Sequence, residues 1–458
     1  MDESGPGLRE RDDFGEILER WYRCEIPQEE LNELMRRSDA KGIVRTLSFL
    51  AVLVALGYLA YLSRGSWWAV PAFFAYGTVY CFLNHLMHET HHRTVFRTLW
   101  LNETVHWIAA FAHGAEPIYD RWGHTQHHTY TYHIGKDPEV VTPRPARIPR
   151  MLGMLVGIGI VRPLPIIEHA FGIIPEKDKA LVPEPDWKPM IWSSRFWLLG
   201  YGLIIGSCFA FGTILPLAYT LLARFYGAFY ATALNFTQHI GLEEDVYDHR
   251  LCTRDVNYGP VTSFLYWNMQ YHIEHHMFPA VPFHSLRRLH AKVERQLPAP
   301  HSNLFAAYKD ILSVVMRQQK ESRFHITPLL PVAPPASREA NGDRAPIDEI
   351  LASGESRWVP VPGGAKLGPG DAMPFRYADR TYAIYRLADG FFATDGKCTH
   401  SGAILAKGLV IDDQIECPAH QGRFDIRSGK ATLAPAGADL RTYAAKVEDG
   451  VLLIELKG

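Results

Sequence analysis

Cysteine is scarce: six residues in 458, at positions 24, 81, 208, 252, 398 and 417. Scattered this widely, they exclude a disulfide-stapled secreted scaffold and suit a reducing compartment. Net charge is scarce as well. Lysine plus arginine (47) nearly cancel aspartate plus glutamate (49), leaving −2, so nothing marks the chain as a nucleic-acid binder. Met1 to Asp13 is acidic and polar with no basic segment ahead of an apolar core, and no cleavable signal peptide is expected. A glycine-rich dinucleotide-binding motif is also missing.

Long apolar runs are few, and they set the expected architecture. Ile43 to Leu62 is nearly unbroken and about as long as a bilayer requires. Ser63-Arg64-Gly65-Ser66 then leads into Trp67 to Leu83, which predicts a helical hairpin. Phe196 to Phe211 and Ile214 to Leu234 predict a second one. Arg36, Arg37, Lys41 and Arg45 precede the first hairpin and place the amino end in the cytoplasm. Met151 to Ile167 is apolar too, but it holds Arg162, Pro163 and Pro165 and follows Arg144, Arg147 and Arg150. It reads as lying in the interface, not crossing.

The reading is multidomain. Residues 1–40 form a soluble segment, helical over Phe14 to Tyr22 and Gln28 to Arg37. Residues 41–322 form an all-α membrane domain of four transmembrane helices with a cytoplasmic helical cap, in which Phe283 to Gln296 is a basic surface helix. Residues 323–355 form a linker with Pro328, Pro331, Pro334 and Pro335. Residues 356–458 form a small all-β domain, with alternating runs such as Thr381 to Leu387 and Val451 to Leu456.

Histidine is what the chain has in excess, with 22 copies. Trp122-Gly123-His124-Thr125-Gln126-His127-His128 places three imidazoles at i, i+3 and i+4, one face of a helix. His272-Ile273-Glu274-His275-His276 repeats the spacing, and His85-Leu86-Met87-His88-Glu89-Thr90-His91-His92 offers a looser version. A lone histidine is more often a surface or hydrogen-bonding residue than a ligand. Three dense clusters on one side of the membrane argue the opposite, because crowded imidazoles are costly there unless a cation satisfies them. Eight or more candidates exceed the needs of one metal, so two are implied.

In order and spacing these clusters resemble the histidine boxes of the membrane fatty acid desaturase superfamily, over roughly residues 40 to 300. The resemblance implies two non-haem irons held by His88 and His92, by His124, His127 and His128, and by His272, His275 and His276. It adds His239 as a single ligand, and Asn235, four residues earlier, as a partner through water. His85 and His91 leave choices open in the first box. The i, i+4 pair favours His88 with His92, and His91 is about 100° round the helix. Glu89 and Glu274 read equally as partners of the ring nitrogens or as solvated surface residues. His106, His113, His133, His169, His249, His284, His290, His301 and His325 read as ordinary.

The second site is Cys398-Thr399-His400 with Cys417-Pro418-Ala419-His420. Two cysteines and two histidines suit a Cys2His2 zinc site or a Rieske [2Fe–2S] cluster. Gly402, Leu405, Gly408, Gln421-Gly422-Arg423-Phe424-Asp425 and Gly429 resemble Rieske ferredoxins and not zinc fingers. Respiratory Rieske proteins add a cysteine pair where Ala403 and Ala419 stand here, so the resemblance is to the soluble type.

Together these resemblances imply an O2-dependent membrane enzyme that oxidises unactivated C–H bonds with Rieske-delivered electrons. The expected setting is a bacterial-type cytoplasmic membrane, with both metal centres on the cytoplasmic side and an NAD(P)H-dependent ferredoxin reductase as donor. Acyl-lipid desaturation or hydroxylation is expected on superfamily frequency. Gln238 to Val246 and Tyr266 to Pro282 also resemble a bacterial branch of hydrocarbon or rhizopine oxygenases, which implies hydroxylation or oxidative demethylation of an alkyl-bearing small molecule. A different class also fits: a membrane-anchored electron carrier whose histidines bind zinc.

Overall fold

The computed structural model describes residues 17, 20–140, 142–159, 163–331, 356–378, 380–419 and 421–457. Two compact units separate, one helical over residues 34–331 and one β-rich from residue 356 onward. Most of the expected helix over Phe14 to Tyr22 and most of the Pro-rich linker lie outside the described residues.

The helical unit opens with α1, Asp39–Ser63, where Ser38 caps the amino end by accepting from the Lys41 amide at 3.4 Å. Among the described residues it is the one helix long and apolar enough to cross a membrane. Of the other expected spans, two are shorter or interrupted, and one lies in a helix longer than α1. Helix α2, Ala69–Cys81, runs 13 residues, and α3, Leu83–His91, follows after a break at Phe82. The second hairpin begins in a 27-residue helix, Glu184–Ala210, with Pro189 inside it. Its return leg is split into Leu215–Ala218, Ala223–Tyr226 and Ala228–His239. One cause of the break is visible at Gly227, where a Cβ would stand 2.0 Å from the carbonyl carbon of Gly77. Backbone meets backbone there, and only glycine permits it.

Apolar side chains on these helices remain exposed, among them Val54 (69%), Leu203 (65%) and Phe209 (83%). Within Met151 to Ile167 the described helices are Ile148–Leu155 and Pro163–Ala170. Eight residues each, about 12 Å long, they are too short to cross a bilayer. The predicted basic surface helix is Leu286–Val293, continued as a 3-10 turn. It buries Leu286, Leu289 and Val293 and exposes Arg287 and Arg288.

Two further helices carry the site: α4, Leu99–His113, and α5, Pro117–Thr129. Glu116 caps α5, accepting from the Tyr119 amide at 2.6 Å. Glu103 on α4 joins Arg93 (2.8 Å), next to His92, and Arg121 (2.9 Å), three residues before His124. Burial opposes ionisation of this carboxyl, but the two guanidinium groups hold it at about 2. Because the folded value lies below the unfolded one of about 4.3, this stabilisation is present above pH 4.3 and lost as pH falls toward 2. Glu103→Gln is expected to lower stability by about 1–2 kcal/mol near neutral pH. In pH-dependent urea melts the difference from wild type should vanish near pH 2.

The β unit contains three antiparallel sheets among the described residues: β1-β11-β10, β2-β3-β4-β9 and β5-β6-β7-β8. The strands are β1 Ser356–Val361, β2 Ala372–Tyr377, β3 Arg380–Leu387, β4 Gly390–Asp395, β5 Leu409–Ile411, β6 Gln414–Glu416, β7 Arg423–Asp425, β8 Ala431–Leu433, β9 Thr442–Tyr443, β10 Ala445–Glu448 and β11 Val451–Lys457. Alternation along β3 lets one strand serve two cores. Tyr385 and Leu387 pack with Leu405, Ile415 and Phe424, while Tyr382 and Ile384 pack with Leu452 and Ile454.

Candidate metal centres

Four backbone segments bring the histidines together. Helix α3 and its carboxy-terminal cap supply His88 and His92, and α5 supplies His124, His127 and His128. The helix Ala228–His239 ends on His239, and the short helix His272–Met277 carries His272, His275 and His276.

The side chains sort into two pockets. One nitrogen from each of His88, His92, His124, His128 and His275 lies within 4.8 Å of all the others, and the same holds for His127, His239 and His276. His272 joins the second group, its Nε2 3.2 Å from that of His239 and 3.1 Å from that of His276. The pockets adjoin where His128 stacks on His276, with ring centroids 4.3 Å apart.

Proton placement shows why these nitrogens suit a cation. Glu139 Oε1 lies 3.0 Å from His124 Nδ1, Asp137 Oδ2 lies 2.8 Å from His127 Nδ1, and the Cys252 carbonyl lies 2.9 Å from His239 Nδ1. Thr131 donates its hydroxyl proton to the His127 carbonyl and so accepts from His276 Nδ1 at 3.1 Å. Each of these rings thus spends its one neutral-state proton outward and turns a lone pair inward. His124 Nε2 then faces His92 Nε2 at 2.9 Å and His128 Nε2 at 3.1 Å. One lone pair accepts one N–H and cannot serve both rings, whereas one cation between them satisfies all three. Nitrogen ligands at about 2.1 Å from one ion, at right angles, stand about 3.0 Å apart. The residues fit bound metal ions.

Burial, reinforced by mutual repulsion, pushes His88, His92, His128, His272 and His276 well below the ordinary imidazole value. His127 is the exception. Burial opposes its charge, but Asp137 and Glu139 raise it to about 9, so without a metal this ring holds a second proton on Nε2 that a bound cation displaces.

Asp137 and Glu139 escaped sequence reasoning. Their signal was two acids in Lys136-Asp137-Pro138-Glu139 directly after the second box, where ligand histidines need carboxylate partners. Asp137 is itself fixed, accepting from the Tyr132 and Glu139 amides at 2.8 Å. Asp137→Asn is expected to weaken metal retention roughly 10- to 100-fold, measured as iron content after dialysis against graded chelator.

For Glu89 and Glu274 the surface reading fails, since they are 1% and 0% exposed. Glu274 bonds to His290, and Glu89 lies 3.9 Å from His88 Nδ1. His85 and His91 stand outside both pockets. His85 Nε2 bonds to Asn235 Oδ1 at 2.9 Å, and His91 Nε2 lies 3.0 Å from Asp120. His249, read as ordinary, stacks on His276 at 5.2 Å.

A cavity of about 320 Å³ adjoins the pockets, lined by His88, His124, His127 and His239 together with Met154 and Ile166.

In the β unit two tight loops carry the thiols. Cys398 N donates to Ala403 O at 2.9 Å, and Cys417 N donates to Gly422 O at 2.8 Å. Gly408 lets the first loop close, since a Cβ there would sit 2.0 Å from Glu416 O. Both cysteines are buried, and Ser401 Oγ lies 3.7 Å from Cys417 Sγ. A hydrogen bond from Cys417 lowers the Cys398 thiol to about 6 and raises its partner, so the pair readily gives up its first proton. His400 is partly buried, and His420 lies outside the described residues.

Clustered imidazoles on helices and paired thiols in β loops are the protein's share of iron redox centres. Comparison with known families agrees. The fatty acid desaturase model matches residues 65–308, more than half of the chain, and the Rieske [2Fe-2S] domain model matches residues 357–444. The chain belongs to the fatty acid desaturase family and carries a Rieske domain fused behind it. Its cofactors are accordingly a di-iron pair and one [2Fe–2S] cluster.

Among curated relatives, the ferredoxin component of the naphthalene 1,2-dioxygenase system of Pseudomonas putida is 34% identical over 100 residues, 22% of this chain and 96% of that one. The ferredoxin component of biphenyl 2,3-dioxygenase of Rhodococcus jostii (strain RHA1) is 35% identical over 92 residues, 20% of this chain and 86% of that one. A solved ferredoxin of carbazole 1,9a-dioxygenase from Nocardioides aromaticivorans IC177 is 31% identical, covering 21% of this chain and 95% of that one with a TM-score of 0.21.

Proposed function

We propose that this chain is an O2-dependent di-iron oxidase of unactivated C–H bonds that draws electrons through its own Rieske cluster. The observation that carries the reading is the pairing of two adjacent imidazole pockets with a two-thiol loop pair in one polypeptide. In this assignment His88, His92, His124, His128 and His275 hold one iron, and His127, His239, His272 and His276 hold the other. Asn235 acts through water. Cys398 and Cys417 hold one iron of the cluster, and His400 and His420 hold the other. With iron bound, the centre uses O2 and two electrons to break a C–H bond, chemistry that belongs to the metal.

The chain's own part is positioning. Asp137, Glu139, Thr131 and the Cys252 carbonyl fix the ring protons outward, so the donor nitrogens stay aimed at the metals. Burial excludes bulk water, and Met154 and Ile166 give the cavity an apolar wall for an alkyl group.

A volume of about 320 Å³ is at the low end for ligand pockets. That favours hydroxylation or oxidative demethylation of a small alkyl-bearing molecule over desaturation of a long acyl lipid. The setting is a bacterial-type cytoplasmic membrane, supported by α1 and by exposed apolar residues such as Phe196 and Phe209. The four-span arrangement rests on the apolar runs of the sequence, and the basic residues before α1 support a cytoplasmic side for both centres. An NAD(P)H-dependent ferredoxin reductase supplies the electrons.

Reductant-driven O2 uptake by the iron-loaded full chain, stimulated by alkyl-bearing compounds, is the test. An electron carrier with structural zinc would reduce a dye through its cluster yet consume no O2 with any substrate.

A further inference from the structure

The cavity beside the histidine pockets has a cation in its wall. Arg224, on the four-residue helix Ala223–Tyr226, is 7% exposed and is the one Lys or Arg lining that cavity among the described residues. Its Nη1 donates to the carbonyl of His113, the last residue of α4, while its Nε has no partner. The ionisable groups that influence it are Tyr80, Tyr201, Cys81 and His113; the acids lining the same cavity face other groups, Glu116 the Tyr119 amide and Ser193, Asp120 His91, Asp137 His127 and Glu139 His124. Gly114, at φ 82, makes room for the guanidinium, since a Cβ there would stand 1.5 Å from Nη1.

Part of the charge is accounted for. A helix carboxy terminus presents about half an elementary negative charge. Neighbouring carbonyls at that end are occupied by other donors: Phe111 by Tyr201, Ala112 by Tyr80 and Ala115 by Trp197. A guanidinium stays charged at any physiological pH, and a buried charge without a counter-ion is costly. About half a positive charge therefore remains unbalanced, on a planar fork shaped for two parallel hydrogen bonds to a carboxylate.

We propose that Arg224 anchors a carboxylate of the substrate, so that the cavity selects small alkyl-bearing acids. This rests on the reading of the cavity as the substrate site. The acid end meets Arg224 while the alkyl part lies along Met154 and Ile166, toward His124 and His127.

The test compares hexanoate with 1-hexanol as ligands of the iron-loaded full chain, read as shifts in thermal unfolding midpoint. Hexanoate should raise the midpoint of the wild type more than hexanol does. Arg224→Gln should weaken hexanoate binding roughly a hundredfold and leave hexanol unchanged. Arg224→Lys keeps a charge at the end of α4 without the fork and should fall between them. Equal responses to the two ligands in the wild type would overturn the proposal. So would an unchanged hexanoate response in Arg224→Gln or, if that variant does not fold, in Arg224→Lys. A purely capping role would lower the midpoint of the ligand-free variants and leave the preference for hexanoate intact, which also overturns it. Selective hexanoate binding without any O2 uptake would count against the oxidase reading and leave the Arg224 assignment standing.

Discussion

His275→Ala is expected to end turnover while leaving the Rieske cluster untouched. His275 is 1% exposed and belongs to the five-imidazole pocket, with its ring 4.7 Å from that of His88 and 4.9 Å from that of His128. Its removal takes a donor from a site with no spare ligand nearby. His91, a neighbouring imidazole, lies outside the pocket with its Nε2 3.0 Å from Asp120. Substrate-dependent O2 uptake should fall roughly a hundredfold or more, in line with the 10- to 100-fold cost of losing even an indirect partner. Iron should drop from about four per chain toward two or three. The visible and EPR signals of the cluster should persist at wild-type intensity. Loss of those signals in this variant would mean that the centres are not separate.

Cys417→Ser is expected to do the reverse. Cys417 is 1% exposed and stands with Cys398 in the loop pair, so one replacement removes half of the thiolate pair that holds a cluster iron. The Rieske signals should vanish and iron should fall to about two per chain. The histidine-bound pair should remain. O2 uptake driven through the reductase should stop, whereas a small chemical reductant able to reach the buried irons should restore part of it. If the histidine-bound iron leaves with the cluster, the division into two independent centres is wrong.

The ligands were legible because metal chemistry is written in local spacing. His124, His127 and His128 share a helix face by their numbering alone, and the repeat at His272, His275 and His276 set the pattern. His239 depended on the family resemblance. What spacing does not encode is which imidazole goes to which pocket. His127 parts from its neighbours His124 and His128 because the helix turns it toward His239 and His276. Partners that act across the fold were invisible for the same reason: Asp137, Glu139 and the Cys252 carbonyl meet the rings only after loops close. The surface alternative for Glu89 and Glu274 came from treating acids as solvated by default. In the fold the segments carrying them are covered, and Glu274 finds His290 sixteen residues on.

The membrane expectation rested on apolar runs, which report composition but not continuity. Ile43 to Leu62 became one long helix, whereas Ile214 to Leu234 broke where Gly227 meets the backbone of Gly77. Arg224 lies inside that broken run, and its burial against the end of α4 had no signature in the sequence.

Mössbauer spectroscopy of the intact chain, purified from cells grown on enriched iron, tests the central claim most directly. Two equal populations are predicted. One is a Rieske pair with distinct thiolate-bound and imidazole-bound irons; the other is high-spin iron in nitrogen and oxygen coordination, and it shrinks in His275→Ala while the Rieske pair persists. A spectrum holding the Rieske pair alone, with zinc filling the histidine pockets, would contradict the account.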